Sequence, residues 1–152
     1  MQSFVPPPIS TKDLIGKVEL VPSFRIELEL EPRVTERTVR GERIHQRVLG
    51  GIVSGPRLGG EVFGHGSGEY GVVRKDSVEE WFTRFMIKAT NGEWLYTHLL
   101  GYVHRDGYAR FQAVFDADTQ GPHAWLNESM FIGTVDQTEN GQRRSMTYYE
   151  VI

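Results

Sequence analysis

Glu69 and Tyr70 stand side by side behind a glycine-rich run, Gly64-His65-Gly66-Ser67-Gly68. A carboxylate beside a phenol can serve as proton acceptor and hydrogen-bond donor in one small site. The same Glu69 reads equally as a surface acid paired with Arg74. His98 and His104 share a strand face with Trp94, Tyr96, Leu100 and Tyr102. A histidine among aromatics can titrate near neutrality and move a proton, although such residues are more often hydrogen-bonded structural parts. Arg43, His45 and Arg47 alternate with Ile44, Gln46 and Val48. Pointing inward they would line a pocket for a carboxylate or enolate, and pointing outward they are a solvated face. Arg84 shares a face with Phe82 and Met86. Its charge cannot be removed, so it needs either an acid such as Glu69 or Asp76 or a ligand. Asn127, in step with Trp125 and Ser129, could donate to a substrate oxygen or hold a neighbouring backbone.

Together these residues outline proton-transfer chemistry. Glu69, His98 or His104 would move the proton. Arg43, Arg84, Tyr70 or Asn127 would steady a developing oxyanion. Trp81, Phe85, Trp94, Tyr96, Tyr102 and Trp125 would bind and desolvate a small apolar or aromatic oxygenated substrate. Isomerisation, elimination, hydration and cyclisation all fit. A carrier with the same interior and no turnover is the alternative, and an assembly subunit with a solid barrel and a docking arm is a third reading.

Other chemistries find little support. There is no cysteine, hence no thiolate nucleophile, disulfide or Cys-based metal site. There is no G-x-S-x-G elbow. The glycine-rich run fits no phosphate-loop pattern. The five histidines never occur at H-x-H or H-x-x-x-H spacing, so a metal would need ligands gathered from separate strands. Neither a metal nor an organic cofactor is expected. A net charge of −3 argues against nucleic acid as the main partner. No segment approaches a membrane-spanning apolar run and Met1–Pro8 lacks a basic leader, so the expected location is cytoplasmic. A homodimer is compatible with these features.

Strands must position these groups. With 39% hydrophobic and 24% charged residues, the chain has the composition of one globular domain. Residues 1–22 read as an arm containing Pro6-Pro7-Pro8 and one helical turn from Ser10 towards Ile15. Residues 23–152 read as the barrel domain. Phe24, Ile26, Leu28 and Leu30 alternate with charged neighbours, a half-buried strand. Further strands are expected over 34–39, 43–53 (broken at Gly50-Gly51), 58–63, 70–74, 80–90, 93–104, 108–116, 124–135 and 143–152. Asn91-Gly92 predicts a type I′ hairpin turn, and Asp106-Gly107 and Asn140-Gly141 two further hairpins. Gly41, Gly50, Gly51, Gly55, Gly59, Gly60 and Gly64 crowd one stretch. Glycine in strands marks bulges and close approaches, as sharply bent strands require. The fold expected is an all-β, antiparallel barrel of about eight to ten strands, lipocalin- or calycin-like in appearance and surrounding a hollow lined by rings and a few charges.

A longer pattern runs through Gly41-Glu42-Arg43, Gly50-Gly51, Gly55-Pro56, Gly60, Gly66-Ser67-Gly68-Glu69-Tyr70 and Arg74-Lys75-Asp76. It continues through Arg84-Phe85, Asn91-Gly92, Trp125-Leu126-Asn127 and Tyr148-Tyr149-Glu150-Val151. In this the chain resembles the bacterial family catalogued as domain of unknown function 3237, over roughly residues 20–152. Glu69 stands where that family has aspartate, Tyr70 where it has tryptophan, and one extra residue lies near His65. The resemblance implies an antiparallel β-barrel with a small-molecule role and gives Arg43 more weight than its neighbours.

Overall fold

The computed structural model describes residues 1–152 except Ile15 and Glu139. Among the described residues nine strands follow one another: β1 (Leu20–Leu30), β2 (Val34–Thr38), β3 (Gly41–Ser54), β4 (Gly60–Val73), β5 (Glu79–Ala89), β6 (Trp94–Val103), β7 (Ala109–Asp116), β8 (Met130–Gln137) and β9 (Arg143–Val151). They are hydrogen-bonded in the order β1-β9-β8-β7-β6-β5-β4-β3-β2. An antiparallel β1–β3 pairing, from Arg25↔Ser54 to Leu30↔Val48, closes eight strands into a barrel and leaves β2 as an extra strand on β3. Closure removes the open edges that a flat sheet of this width would present.

Alternation decides which side chains enter the bore. On β1, Phe24, Ile26, Leu28 and Leu30 are buried while Arg25, Glu27 and Glu29 are exposed. The same period of two runs through β5, β6 and β7. Side chains fill the apolar part of the bore, where a hollow is expected from the sequence. At one end Phe24, Phe111, Phe115, Phe131 and Tyr148 pack ring against ring, with Phe24 and Tyr148 stacked at 4.7 Å. Towards the other end the inward side chains turn polar: Gln46, Glu69, Thr83, Arg144 and the half-buried Glu79.

The glycines act as bulges, and here two sequence expectations are corrected. β3 is not broken at Gly50-Gly51 but continues through it, shifting register against β4 between Arg47 and Gly51. The backbone of Glu27 crosses so close that a Cβ on Gly51 would lie 2.1 Å from its carbonyl oxygen. The run Gly64–Gly68 is not a turn between strands but a bulge inside β4. Gly66 takes φ 68°, the Ser67 hydroxyl donates to the Phe63 carbonyl at 2.7 Å, and register with β5 shifts between Phe63 and Gly68. One added residue locally re-aims those after it, and Glu69 follows directly.

The turns differ in detail. Gly92 has φ 88°, but Asn91 does not enter positive φ, so the hairpin is not type I′. Gly92 N–H donates to the Ala89 carbonyl and Ala89 N–H to Glu93, a type I turn closed by a left-handed glycine. Gly107 and Gly141 repeat this role at φ 93° and 69°. The segment expected to begin a strand at Ala124 forms instead a 3₁₀ turn, Ala124–Asn127, before β8 starts at Met130. Its preceding sequence, Gly121-Pro122, breaks the period, and Asn127 is occupied with the Ala117 backbone. Among the described residues of the arm only Thr11–Asp13 is helical, capped by Ser10 and Asp13. The expected continuation to Ile15 lies outside the described residues. The arm joins the barrel where Glu19 and Ile152 exchange both backbone hydrogen bonds.

Candidate active site

The charged groups that matter most lie inside. Glu69 is wholly buried, with Oε2 accepting from Phe82 N–H at 2.8 Å and Oε1 from the Thr83 hydroxyl at 3.1 Å. Arg144 is buried as deeply; its Nη1 donates to Glu69 Oε1 at 3.3 Å and to Thr83 Oγ1 at 3.1 Å. The guanidinium carbon lies 3.6 Å from the Trp81 ring centroid, so one face of the cation is covered by indole. Arg144 Nε and Nη2, and the Tyr148 hydroxyl, are buried with no hydrogen-bond partner among the described residues.

This cluster sits just beneath the mouth at the β2 end of the barrel. Trp81 Nε1 donates to Glu79 Oε2 at 2.9 Å, and Arg33 clamps Glu79 through both carboxylate oxygens at 2.7 and 3.1 Å. Gln46, inward-facing on β3, donates to the carbonyls of Glu31 and Gly141, both at 3.1 Å, tying two rim segments together. Contacts run in series from the part-exposed Arg33–Glu79 pair through Trp81 and Arg144 to Glu69 and Thr83.

Burial governs the electrostatics. Desolvation raises the Glu69 carboxyl above the ordinary 4.5, against the opposing pull of Arg144, Thr83 and backbone N–H groups. Burial likewise lowers the Arg144 guanidinium and raises the Tyr148 phenol. Glu79 behaves differently: burial pushes it up, but the hydrogen bonds from Arg33 and Trp81 and the Arg33 charge outweigh that and hold it low. A buried carboxyl with a raised pKa beside a buried cation occurs both in structural ion pairs and at sites of proton transfer.

Of the residues singled out from the sequence, Glu69, Trp81 and Phe85 point into the bore. The rest do not join them. Arg43, Tyr70, Arg84, Trp94, Tyr96, His98 and Tyr102 are exposed on the outer wall of β3 to β6. They are gathered there nonetheless. Arg43, Tyr70 and Tyr102 line a shallow cleft of about 260 Å³. Arg84, Tyr96 and His98 line another, with Asp116, of about 350 Å³. His104 lies past the end of β6, with its ring 4.5 Å from that of Tyr108. Trp125 is half-buried under the Arg57 guanidinium. Asn127 brackets Ala117, accepting from its N–H at 2.7 Å and donating to its carbonyl at 3.0 Å. The ion pairs are also redistributed. Glu69 pairs with Arg144, not Arg74 or Arg84. Arg74 takes Asp76 and Glu80, and Arg84 lies over the Tyr70 ring instead. A wider depression of about 550 Å³ lies over Gly50-Gly51, rimmed by Glu27, Glu29, Asp136 and Arg143. It is a solvated outer surface; Arg144 borders it with its side chain sealed on the inner side.

Arg144 and Thr83 escaped the sequence reading, and Tyr148 entered it only within the family pattern. Arg144, Met146 and Tyr148 alternate on one face of β9, so the reasoning applied to Arg84, a cation in step with apolar neighbours, also applies to Arg144. Thr83 sits between Trp81 and Phe85 in the same way. Among the described residues no three His, Cys, Asp or Glu side chains form a metal-binding group.

The fold defines a class: a closed, antiparallel β-barrel of eight strands with one added strand. Residues 18–108 match the family described as "Protein of unknown function (DUF3237)", and the chain belongs to that family. Several solved structures share the barrel. A beta-barrel like protein from Acinetobacter baumannii is 18% identical, with a TM-score of 0.80 over 99% of this chain and 100% of that one. A conserved protein of unknown function from Rhodopseudomonas palustris is 17% identical, with a TM-score of 0.81 over 91% and 100%. A chain described as an enzyme from Penicillium herquei is 18% identical, with a TM-score of 0.69 over 100% of both. At such identities the likeness is one of fold. No curated protein matches the chain. No described helix is long and apolar enough to cross a membrane, which leaves strands aside.

Proposed function

We propose that the protein is a small-molecule enzyme that works by proton transfer at the polar end of the bore, without an organic cofactor. Glu69 moves the proton, and Arg144 steadies the negative charge that develops on a substrate oxygen. Trp81 holds the guanidinium plane, and Thr83 fixes the carboxylate on one oxygen. The observation that carries this reading is the fully buried Glu69–Arg144 pair, in which burial favours a protonated carboxyl and the cation keeps unused donors. Isomerisation, elimination, hydration and cyclisation remain the reaction types it serves. The structural likeness to a chain described as an enzyme is in keeping with this.

The test begins with thermal-shift binding of aromatic acids, enones and lactones. Each binder is then followed by NMR in D₂O for rearrangement, addition of water or uptake of deuterium. Wild type should react with at least one binder, and Glu69→Gln should lower that rate by about 10²-fold or more. Full rate in Glu69→Gln combined with loss in His98→Ala would move the site to the outer wall. Binding with no reaction would make the protein a carrier. A homodimer, with which the sequence is compatible, belongs to the same proposal. It is supported by exposed Phe82, Tyr96, Leu100 and Tyr102 on the outer wall and by Phe4 and Val5 on the arm. Light scattering at working concentration decides it.

A further inference from the structure

The guanidinium of Arg144 is engaged on one side only. Nη1 serves Glu69 and Thr83, and Trp81 covers a face. Nε and Nη2, the two nitrogens whose N–H groups point along one edge, have no partner among the described residues although the side chain is wholly buried. That edge is the side-on fork that meets both oxygens of a carboxylate in two parallel hydrogen bonds. Buried charged donors without acceptors are expensive to keep, and native structures seldom keep them without reason.

We propose that Arg144 Nε and Nη2 bind a carboxylate, or a planar oxyanion of the same shape, within the polar half of the bore. The inference deepens the proposed function and rests on it only for the chemistry that follows binding. A monoanion suits the charge present, since Arg144 already shares its other edge with Glu69. When Glu69 carries its proton it no longer competes with the guest for the cation, and the charges still facing Arg144 are those of Glu79 and Arg33, which oppose each other, so affinity should rise as pH falls until the guest itself is protonated. The route in lies across Arg33 and Glu79. Their side chains are 30% and 21% exposed, and Glu79 is hydrogen-bonded to the indole on which Arg144 rests. Parting that one ion pair uncovers the layer above the fork.

The chain has three tryptophans, Trp81, Trp94 and Trp125. Replacing Trp94 and Trp125 by Phe leaves Trp81, the ring touching Arg144, as the sole indole emitter. Formate, acetate and benzoate are titrated at constant ionic strength, with formamide, acetamide and benzamide as neutral matches. The size series reads how much room the fork has. The expected result is saturable change in Trp81 emission with at least one acid, at least tenfold weaker binding of its amide, and at least tenfold weaker binding to Arg144→Lys. That variant keeps the charge and loses the fork. Equal binding of acid and amide, undiminished binding to a folded Arg144→Lys, or no saturation by any acid would overturn the proposal; the last result would leave water as the fork's occupant. Should Arg144→Lys fail to fold, the ¹⁵N-resolved Nε–H resonance of Arg144 gives the same answer in the tryptophan-reduced protein: it must shift with carboxylate, and a fixed resonance refutes the proposal. The two readings separate cleanly. Acid binding with no turnover refutes the reaction alone. Turnover of neutral compounds with no carboxylate binding refutes the fork alone.

Discussion

Glu69 is a residue whose charge the fold resists. Its folded pKa is raised, so the stabilising contribution of this group is complete below the ordinary 4.5 and is lost as pH rises through the raised value. Glutamine is isosteric with the protonated acid and does not titrate. Urea midpoints of wild type and Glu69→Gln should therefore coincide near pH 4, and the variant should become relatively more stable towards pH 8. The opposite trend would show that attraction to Arg144 outweighs burial. Asp76 behaves in the reverse sense: hydrogen bonds from Arg74, and then from Val78 N–H, hold it down to about 2, so its contribution is present above 3.8 and lost as pH falls towards that value. Tyr148 is simpler. Its hydroxyl is buried without a partner, so Tyr148→Phe should leave the protein as stable or more stable, by up to about 1 kcal/mol in chemical denaturation. A clear loss of stability would place an ordered acceptor beside that hydroxyl.

At the scale of elements, glycine makes the ring possible. Two strands meet at Gly51, where β1 and β3 close the barrel, and a methyl group there would meet the Glu27 carbonyl, which is backbone and cannot step aside. Gly51→Ala should cost about 2–3 kcal/mol, seen as a lowered urea midpoint with the strongest amide-exchange losses along β1 and β3. Exchange losses spread evenly over all strands would mean that the seam is not the weak point. The crowding of glycines between Gly41 and Gly64 made such bends legible beforehand, and the alternation on β1 and β6 made the strands legible. What stayed hidden was facing. A period of two says that Trp94, Tyr96, His98 and Tyr102 share one side and Leu95, Thr97 and Leu99 the other, and both sides carry apolar groups. Only the closed ring shows that Leu95 and Leu99 are the inner set. Glu69 was reachable because the bulge singled out its neighbourhood. Its partner Arg144 lies 75 positions away, and no local pattern ties the two.

Taken whole, the molecule is a tube with unlike ends. Aromatic rings seal one end, and at the other a rim held by Arg33, Glu79 and Gln46 covers buried charge. Loosening the rim should change access more than stability. Arg33→Ala removes a partly exposed pair, which is worth about 1 kcal/mol or less, and should speed the quenching of Trp81 emission by acrylamide in the single-tryptophan background. Unchanged quenching would mean that the rim is not the way in.

Glu19 and Ile152 answer each other's backbone hydrogen bonds, prolonging the β1–β9 ladder by one step. A short Gly-Ser bridge from Ile152 to Glu19 would make the ring of strands continuous as a covalent path. New ends could then be opened at the Asn91-Gly92 hairpin, giving a rearranged gene order whose product should fold to the same tube.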